Sequence, residues 1–134
     1  MEKIKLEVAG VPAVLYGKRS RKVYLYVHGK NGSAAEAARF ARTACPAGWQ
    51  VLAIDLPEHG ARKNSHERLL PWVAVPEIEA VYARMKPVWA HIRLYGVSIG
   101  AWLAMQALQG LYAIGSGGLW GKGLGNSIQK LGKI

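Results

Sequence analysis

Residues 96–100, GVSIG, stand between a β-type run, 90–95 (AHIRLY), and a helix-forming run, 101–108 (AWLAMQAL). A serine on a sharp turn from strand to helix lifts its hydroxyl clear of the sheet end. The amide of the next residue opens the helix and points into the same space. Acyl transfer needs both: an oxygen nucleophile, and an N–H aimed where negative charge develops. Ser98 is therefore the candidate nucleophile, and the Ile99 amide a candidate oxyanion donor. Gly96 and Gly100 are expected to be small because the chain crowds there. The plain alternative is a serine that caps the helix.

A tetrahedral intermediate asks for a second N–H on the same oxygen. The run 28–33, HGKNGS, is a Gly-rich turn directly after the strand-like KVYLYV, and the Lys30 amide is the candidate within it. His28 reads as a residue that ties this turn down through hydrogen bonds rather than as a general base. The other histidines are His59, His66 and His91. His59, in DLPEHGAR (55–62), is the best placed of them to serve as base. No Asp, Glu or His follows Ser98; the last acid is Glu79 and the last histidine His91.

These groups need a scaffold. Residues 3–10 (KIKLEVAG) and 11–17 (VPAVLYG) read as a hairpin turning near Gly10. Residues 22–29 and 49–57 are nearly continuous β-branched, aromatic and aliphatic runs, as strands buried on both faces should be. Between them, Ser33 and Glu36 have the spacing of a capping box. Ala37, Phe40, Ala41 and Ala44 then share one helical face, and Pro46 and Gly48 stop that helix. Residues 58–75 show no sustained period and read as an excursion loop. Pro76 is expected to open a helix carrying the stripe Ile78, Val81, Tyr82 and Met85, closed by Pro87. Strands alternating with helices imply an α/β fold, a mostly parallel sheet with helices on both faces. Ligands in such sheets sit beyond the carboxyl ends of the strands. HGKNGS, DLPEHGAR and GVSIG occupy three of those ends.

Composition supports a single globular domain: 134 residues, 51% hydrophobic and 19% charged. The one cysteine, Cys45, forms no internal disulfide, reads as a small buried filler, and suits a reducing cytoplasm. No apolar run is long enough to span a bilayer, and the first residues do not read as a signal peptide. The net charge of +10 permits loose contact with polyanions. Its densest group, KRSRK at 18–22, lies between two strand patterns and reads as an exposed basic turn, so no specific nucleic-acid site is expected.

Taken together, VYLYVHGKNGS, WQVLAIDLPEHGARKN and IRLYGVSIGAWLAMQAL resemble the α/β-hydrolase superfamily, and within it small cytoplasmic bacterial serine hydrolases. The resemblance covers about residues 1–108. It implies Ser98 as nucleophile, the Lys30 and Ile99 amides as the oxyanion hole, and Asp55, His59 and Gly60 as residues shaping the adjoining loop. It also implies hydrolysis of a small carboxylic ester, or an amide, through an acyl-enzyme, without cofactor or metal.

The usual chain order in that family is nucleophile, acid, histidine. The sequence after Ser98 cannot supply it, so weak or absent turnover is expected, and the hydrolase domain is expected to be truncated. From residue 109 the composition turns rich in Gly and Lys. GSGG (115–118) resembles a flexible linker. Beyond it Trp120, Leu124, Ile128 and Leu131 follow helical spacing opposite Lys122, Lys130 and Lys133, the layout of a helix for a membrane surface or a partner groove. Gly121, Gly123, Gly125 and Gly132 oppose a stable helix and favour an unfolded tail. A fold ending at 108 leaves HIRLYG as an apolar sheet edge. Such an edge invites homo-oligomers, unless 111–114 (LYAI) cover it. The competing function is a non-catalytic interaction module with a cationic tail.

Overall fold

The structure, a computed structural model, describes residues 1–115, and side chains as far as residue 110. The tail helix expected around Trp120–Leu131 lies outside the described residues.

β1 (Lys3–Val8) and β2 (Val11–Tyr16) form an antiparallel hairpin with Val8 opposite Val11. Its two-residue turn places Ala9 at φ 53 and Gly10 at φ 80. Positive φ at both central positions is the turn whose twist matches the flanking strands. β3 (Lys22–Val27), β4 (Gln50–Ile54) and β5 (His91–Gly96) complete a sheet of order β1-β2-β4-β3-β5. β4 runs antiparallel to β2 and parallel to β3, and β5 is parallel to β3.

Alternation along β3 divides the core in two. Tyr26 points to one face with Tyr16, Val51 and Ala53, where α1 (Ala37–Ala44) lays down Ala37, Ala41 and Ala44. Val23, Leu25 and Val27 point to the other, where α2 (Pro71–Met85) contributes Ala74, Ile78, Val81 and Met85. α3 (Ile99–Gly115) adds Leu103, Ala104 and Ala107 to that second face. All of β4 is buried, as its continuous apolar run requires.

Three local expectations change. α2 starts at Pro71, not Pro76. Leu70, extended at φ −125 and ψ 145, holds the conformation favoured before a proline, and Pro71 fills the first turn, where a missing N–H costs nothing. Pro76 lies inside the helix, which the buried stripe below it holds together. The capping box closes on one side only. Ser33 Oγ accepts the Ala35 amide at 3.2 Å, but the Glu36 carboxylate turns to the Tyr26 hydroxyl, which donates to it at 2.8 Å. A 3₁₀ turn, Ala34–Glu36, therefore precedes α1. Finally, α3 runs through residues 109–115, so the compositional change near residue 109 falls inside a helix and the backbone of 111–114 is helical. Among the described residues β1 and β5 are the two sheet edges, and β5 alternates exposed His91, Arg93 and Tyr95 with partly buried Ile92 and Leu94.

Candidate functional site

β3, β4 and β5 are parallel, so the segments following them emerge at one end of the sheet. Ser98 sits there, exposed, with φ 55. A left-handed serine is strained, and it persists only where the surroundings dictate it. The surroundings are glycine-dependent. A Cβ on Gly100 would overlap the carbonyl oxygens of Val27 and His28, and one on Gly96 would overlap the Ala101 backbone. α3 thus starts in direct contact with the end of β3. A Cβ on Gly29 would lie 3.2 Å from Ser98 Cβ and 2.9 Å from the Val97 carbonyl oxygen. The turn after β3 therefore passes against the serine.

The Gly100 amide donates to the Val97 carbonyl and the Ala101 amide to the Ser98 carbonyl, each at 2.9 Å. Among the described residues, the Ile99 and Lys30 amides donate to no protein acceptor, and Ser98 Oγ makes no hydrogen bond. The hydroxyl does not cap α3, which sets aside the helix-cap alternative.

His28 is fully buried. Its Nδ1–H donates to the Gly29 carbonyl at 2.7 Å, and its Nε2 accepts the Leu56 amide at 3.0 Å. The ring ties the end of β3 to the end of β4, as its place in the sequence suggested. Burial, the largest effect, pushes its pKa below the ordinary value against the opposing Gly29 bond, so it is held neutral.

His59 is partly buried, its ring centroid 5.0 Å from that of His28. Its Nδ1–H donates to the Pro57 carbonyl at 2.9 Å, and its Nε2 accepts the Asn31 amide at 2.9 Å. Both nitrogens face loop backbone and neither faces Ser98 Oγ. Asp55 is buried between the same loops. One of its oxygens accepts the Ala34 amide at 2.8 Å and the other the Ala61 amide at 3.1 Å. A Cβ on Gly60, at φ 55, would overlap that carboxylate.

The remaining polar groups lie elsewhere. His66 is exposed on the loop before α2, and His91 opens β5 at the end away from Ser98. A Cβ on Gly110 would lie 2.5 Å from Glu79 Oε2, which puts the last acid of the chain on the order of 15 Å along α3 from the serine.

Sequence reasoning missed Arg62. It is buried and donates to both Glu77 oxygens, at 2.6 and 2.8 Å, and to the Asp55 carbonyl at 3.2 Å. The Glu77 bond and charge hold its pKa above the usual range despite burial. This anchor fixes the start of the excursion loop to α2. Two arginines, Arg62 and Arg68, lie in that loop, and nothing in the sequence distinguishes the buried one.

A polar cavity of about 530 Å³, lined by Asn31, Ser33, Glu36, Glu58, His59 and Lys63, opens where the loops after β3 and β4 meet. A larger one of about 1080 Å³, beside Lys18, Arg19, Arg42 and Trp49, lies at the opposite end of the strands. The smaller cavity is the one near the candidate chemistry.

No family model matches the sequence, nor does any curated protein. Solved structures do match. An esterase from the bacterial hormone-sensitive lipase family is 29% identical with a TM-score of 0.66, over 85% of this chain and 39% of its own. The thioesterase domain from the curacin biosynthetic pathway is 26% identical with a TM-score of 0.63, over 81% and 39%. Est1E from Butyrivibrio proteoclasticus, solved with ferulic acid, is 20% identical with a TM-score of 0.64, over 83% and 49%. The fold is that of the α/β-hydrolases, and the chain spans between about two fifths and half of these neighbours' length.

Proposed function

We propose that this chain, built on the α/β-hydrolase fold, carries the nucleophile and oxyanion half of a serine hydrolase site. The substrate class is a small carboxylic ester or, less readily, an amide. Ser98 Oγ attacks the carbonyl carbon and the Ile99 and Lys30 amides hold the oxyanion. The alcohol or amine leaves, and water then releases the acid from the acyl-enzyme. No cofactor enters these steps. The observation that carries the reading is the left-handed, exposed Ser98 beside two uncommitted amides.

Turnover by this chain alone is low in this reading. Among the described residues no imidazole contacts Ser98 Oγ, so its proton passes to water. Sites stripped of triad members keep roughly 10³ to 10⁴-fold acceleration over water from the oxyanion hole and binding. The single free Cys45 supports a reducing, cytoplasmic setting. Among the described residues no helix is long and apolar enough to cross a membrane.

A fluorophosphonate probe tests the reading. Labelling that maps to Ser98 and disappears in Ser98→Ala is expected, at a rate far below that of a complete triad. Labelling unchanged by Ser98→Ala would defeat it. The second reading, a non-catalytic interaction module, is favoured by Trp102 and Met105, about half exposed on α3. No Ser98 labelling, together with vesicle binding lost on deletion of residues 119–134, would select it.

A further inference from the structure

His59 is placed where a general base is sought, yet neither nitrogen is turned toward the serine. Its Nδ1–H is spent on the Pro57 carbonyl, within its own loop. In the neutral ring that bond places the one proton on Nδ1, and Nε2 is left to accept. What it accepts is the Asn31 amide, from the turn after β3. Asn31 lies at φ 67, in the left-handed region that asparagine tolerates better than most residues, and the His59 bond reaches it from outside the turn. Its neighbour in the chain is Lys30, whose amide is one of the two aimed at the oxyanion position.

We propose that His59 is a positioning residue of the oxyanion turn: its neutral Nε2 holds the Asn31 N–H, and through the adjoining backbone this fixes the direction of the Lys30 amide. The proposal rests on the serine-site reading above. It changes the part played by the histidine from proton acceptor to clamp. The loop after β4 sets the geometry of the loop after β3 through one ring. Glu58, at φ 70, turns the chain immediately before His59, and Gly60 immediately after it has φ 55. The ring is therefore delivered by a tightly bent segment, itself pinned by Asp55 at the Ala61 amide. The charged and titratable groups around the ring are His28 from the end of β3, Glu36 from the turn before α1, and Glu58 and Lys63 from its own loop.

The experiment uses the full chain, labelled with nitrogen-15, and compares wild type, His59→Gln and His59→Ala. In the wild type the ring nitrogen shifts should report the Nδ1–H tautomer. A protonated Nε2 in the neutral ring would overturn the clamp without any variant being made. His59→Gln offers a side-chain carbonyl oxygen near the position of Nε2 and should keep the Asn31 amide slow to exchange. His59→Ala should speed it by about tenfold while the β3 and β4 amides keep their protection. Unchanged Asn31 exchange in His59→Ala would overturn the proposal.

Phenylboronic acid then reads the oxyanion site. Its trigonal boron accepts the Ser98 Oγ lone pair, the hydroxyl proton passes to water, and an anionic tetrahedral boronate forms. Binding about tenfold weaker in His59→Ala and restored in His59→Gln is expected. Equal affinity in all three would overturn the positioning role. No boronate on wild-type Ser98, with the exchange pattern intact, would overturn the serine-site reading and the Lys30 role with it, leaving only a bond between two loops.

Discussion

The Arg62 guanidinium holds the Glu77 carboxylate by two parallel bonds, 2.6 and 2.8 Å long, and so fastens the loop that follows β4 to the inner side of α2. Arg62 is buried, whereas Glu77 keeps a quarter of its side chain exposed. Removing one partner of a fully buried pair costs about 3–5 kcal/mol, and the exposure of Glu77 lowers that to about 2–3. Arg62→Met is expected to lose that amount in urea unfolding. Pairing it with Glu77→Leu should recover part of the loss, because the stranded carboxylate goes too. A double variant as unstable as the sum of the singles would show that the two side chains are not coupled and would refute the anchor.

Ser98 supplies a second test, independent of catalysis. Its φ of 55 penalises any residue with a Cβ. Ser98→Ala removes the hydroxyl but keeps the penalty, while Ser98→Gly removes both. The glycine variant is expected to be more stable than the alanine variant by about 1 kcal/mol. Neither should react with the fluorophosphonate. Equal stability of the two would mean that the elbow relaxes in solution.

Gly100 has the reverse requirement. The atoms that a Cβ there would strike are main-chain carbonyls of Val27 and His28, which cannot swing aside like a side-chain tip. Gly100→Ala should cost about 3 kcal/mol and displace the start of α3. Gly110→Ala is the control, since the atom it would meet is the flexible end of Glu79 and the position lies inside a helix. A variant at Gly100 as stable as that at Gly110 would refute the close contact between α3 and β3.

Much of this architecture follows from patterns that a sequence carries openly. The apolar runs of β3 and β4 announce burial on both faces, and Gly96 and Gly100 frame Ser98 at the one junction where the chain must turn sharply. His28 was also legible as a tie, because it directly follows a central strand. Less legible was whatever depends on contacts distant in the chain. Pro76 suits a helix start, but so does Pro71, and Leu70 decides between them only through its extended backbone. Glu36 is correctly spaced to close a capping box, yet the Tyr26 hydroxyl from β3 competes for it. His59 looked like a candidate base because the sequence shows which sheet end it occupies but not which way its nitrogens face.

His28 makes stability depend on pH. Its folded-state pKa lies below the ordinary 6.5, chiefly because burial disfavours the cation, with the nearby His59 ring adding to the effect and the Gly29 bond, Glu36 and Asp55 opposing it. The unfolded chain therefore takes up this proton at higher pH than the folded one. The contribution is complete above 6.5 and is withdrawn as pH falls below it, down to the folded-state value. Urea midpoints of the wild type should fall below about pH 6.5 more steeply than those of His28→Gln, with a slope difference of up to about 1.4 kcal/mol per pH unit. Parallel curves would show that His28 does not stay neutral in the fold.

The β5 edge leads to a prediction about assembly. Among the described residues no strand lies beyond β5, and Tyr95, Ile99 and Trp102 stand exposed beside it. A strand edge flanked by apolar side chains offers both hydrogen-bonding groups and area for burial to a second copy. The net charge of +10 opposes that encounter, and salt weakens the opposition. Self-association is therefore expected to strengthen between about 50 and 500 mM salt, where the screening length falls from roughly 14 to 4 Å. Tyr95→Lys and Trp102→Lys add charge at the contact itself and should keep the chain monomeric at both salt concentrations. Sedimentation velocity distinguishes the cases. A wild-type monomer at both concentrations would exclude pairing through this edge, and association that persists in the lysine variants would move the contact to another surface.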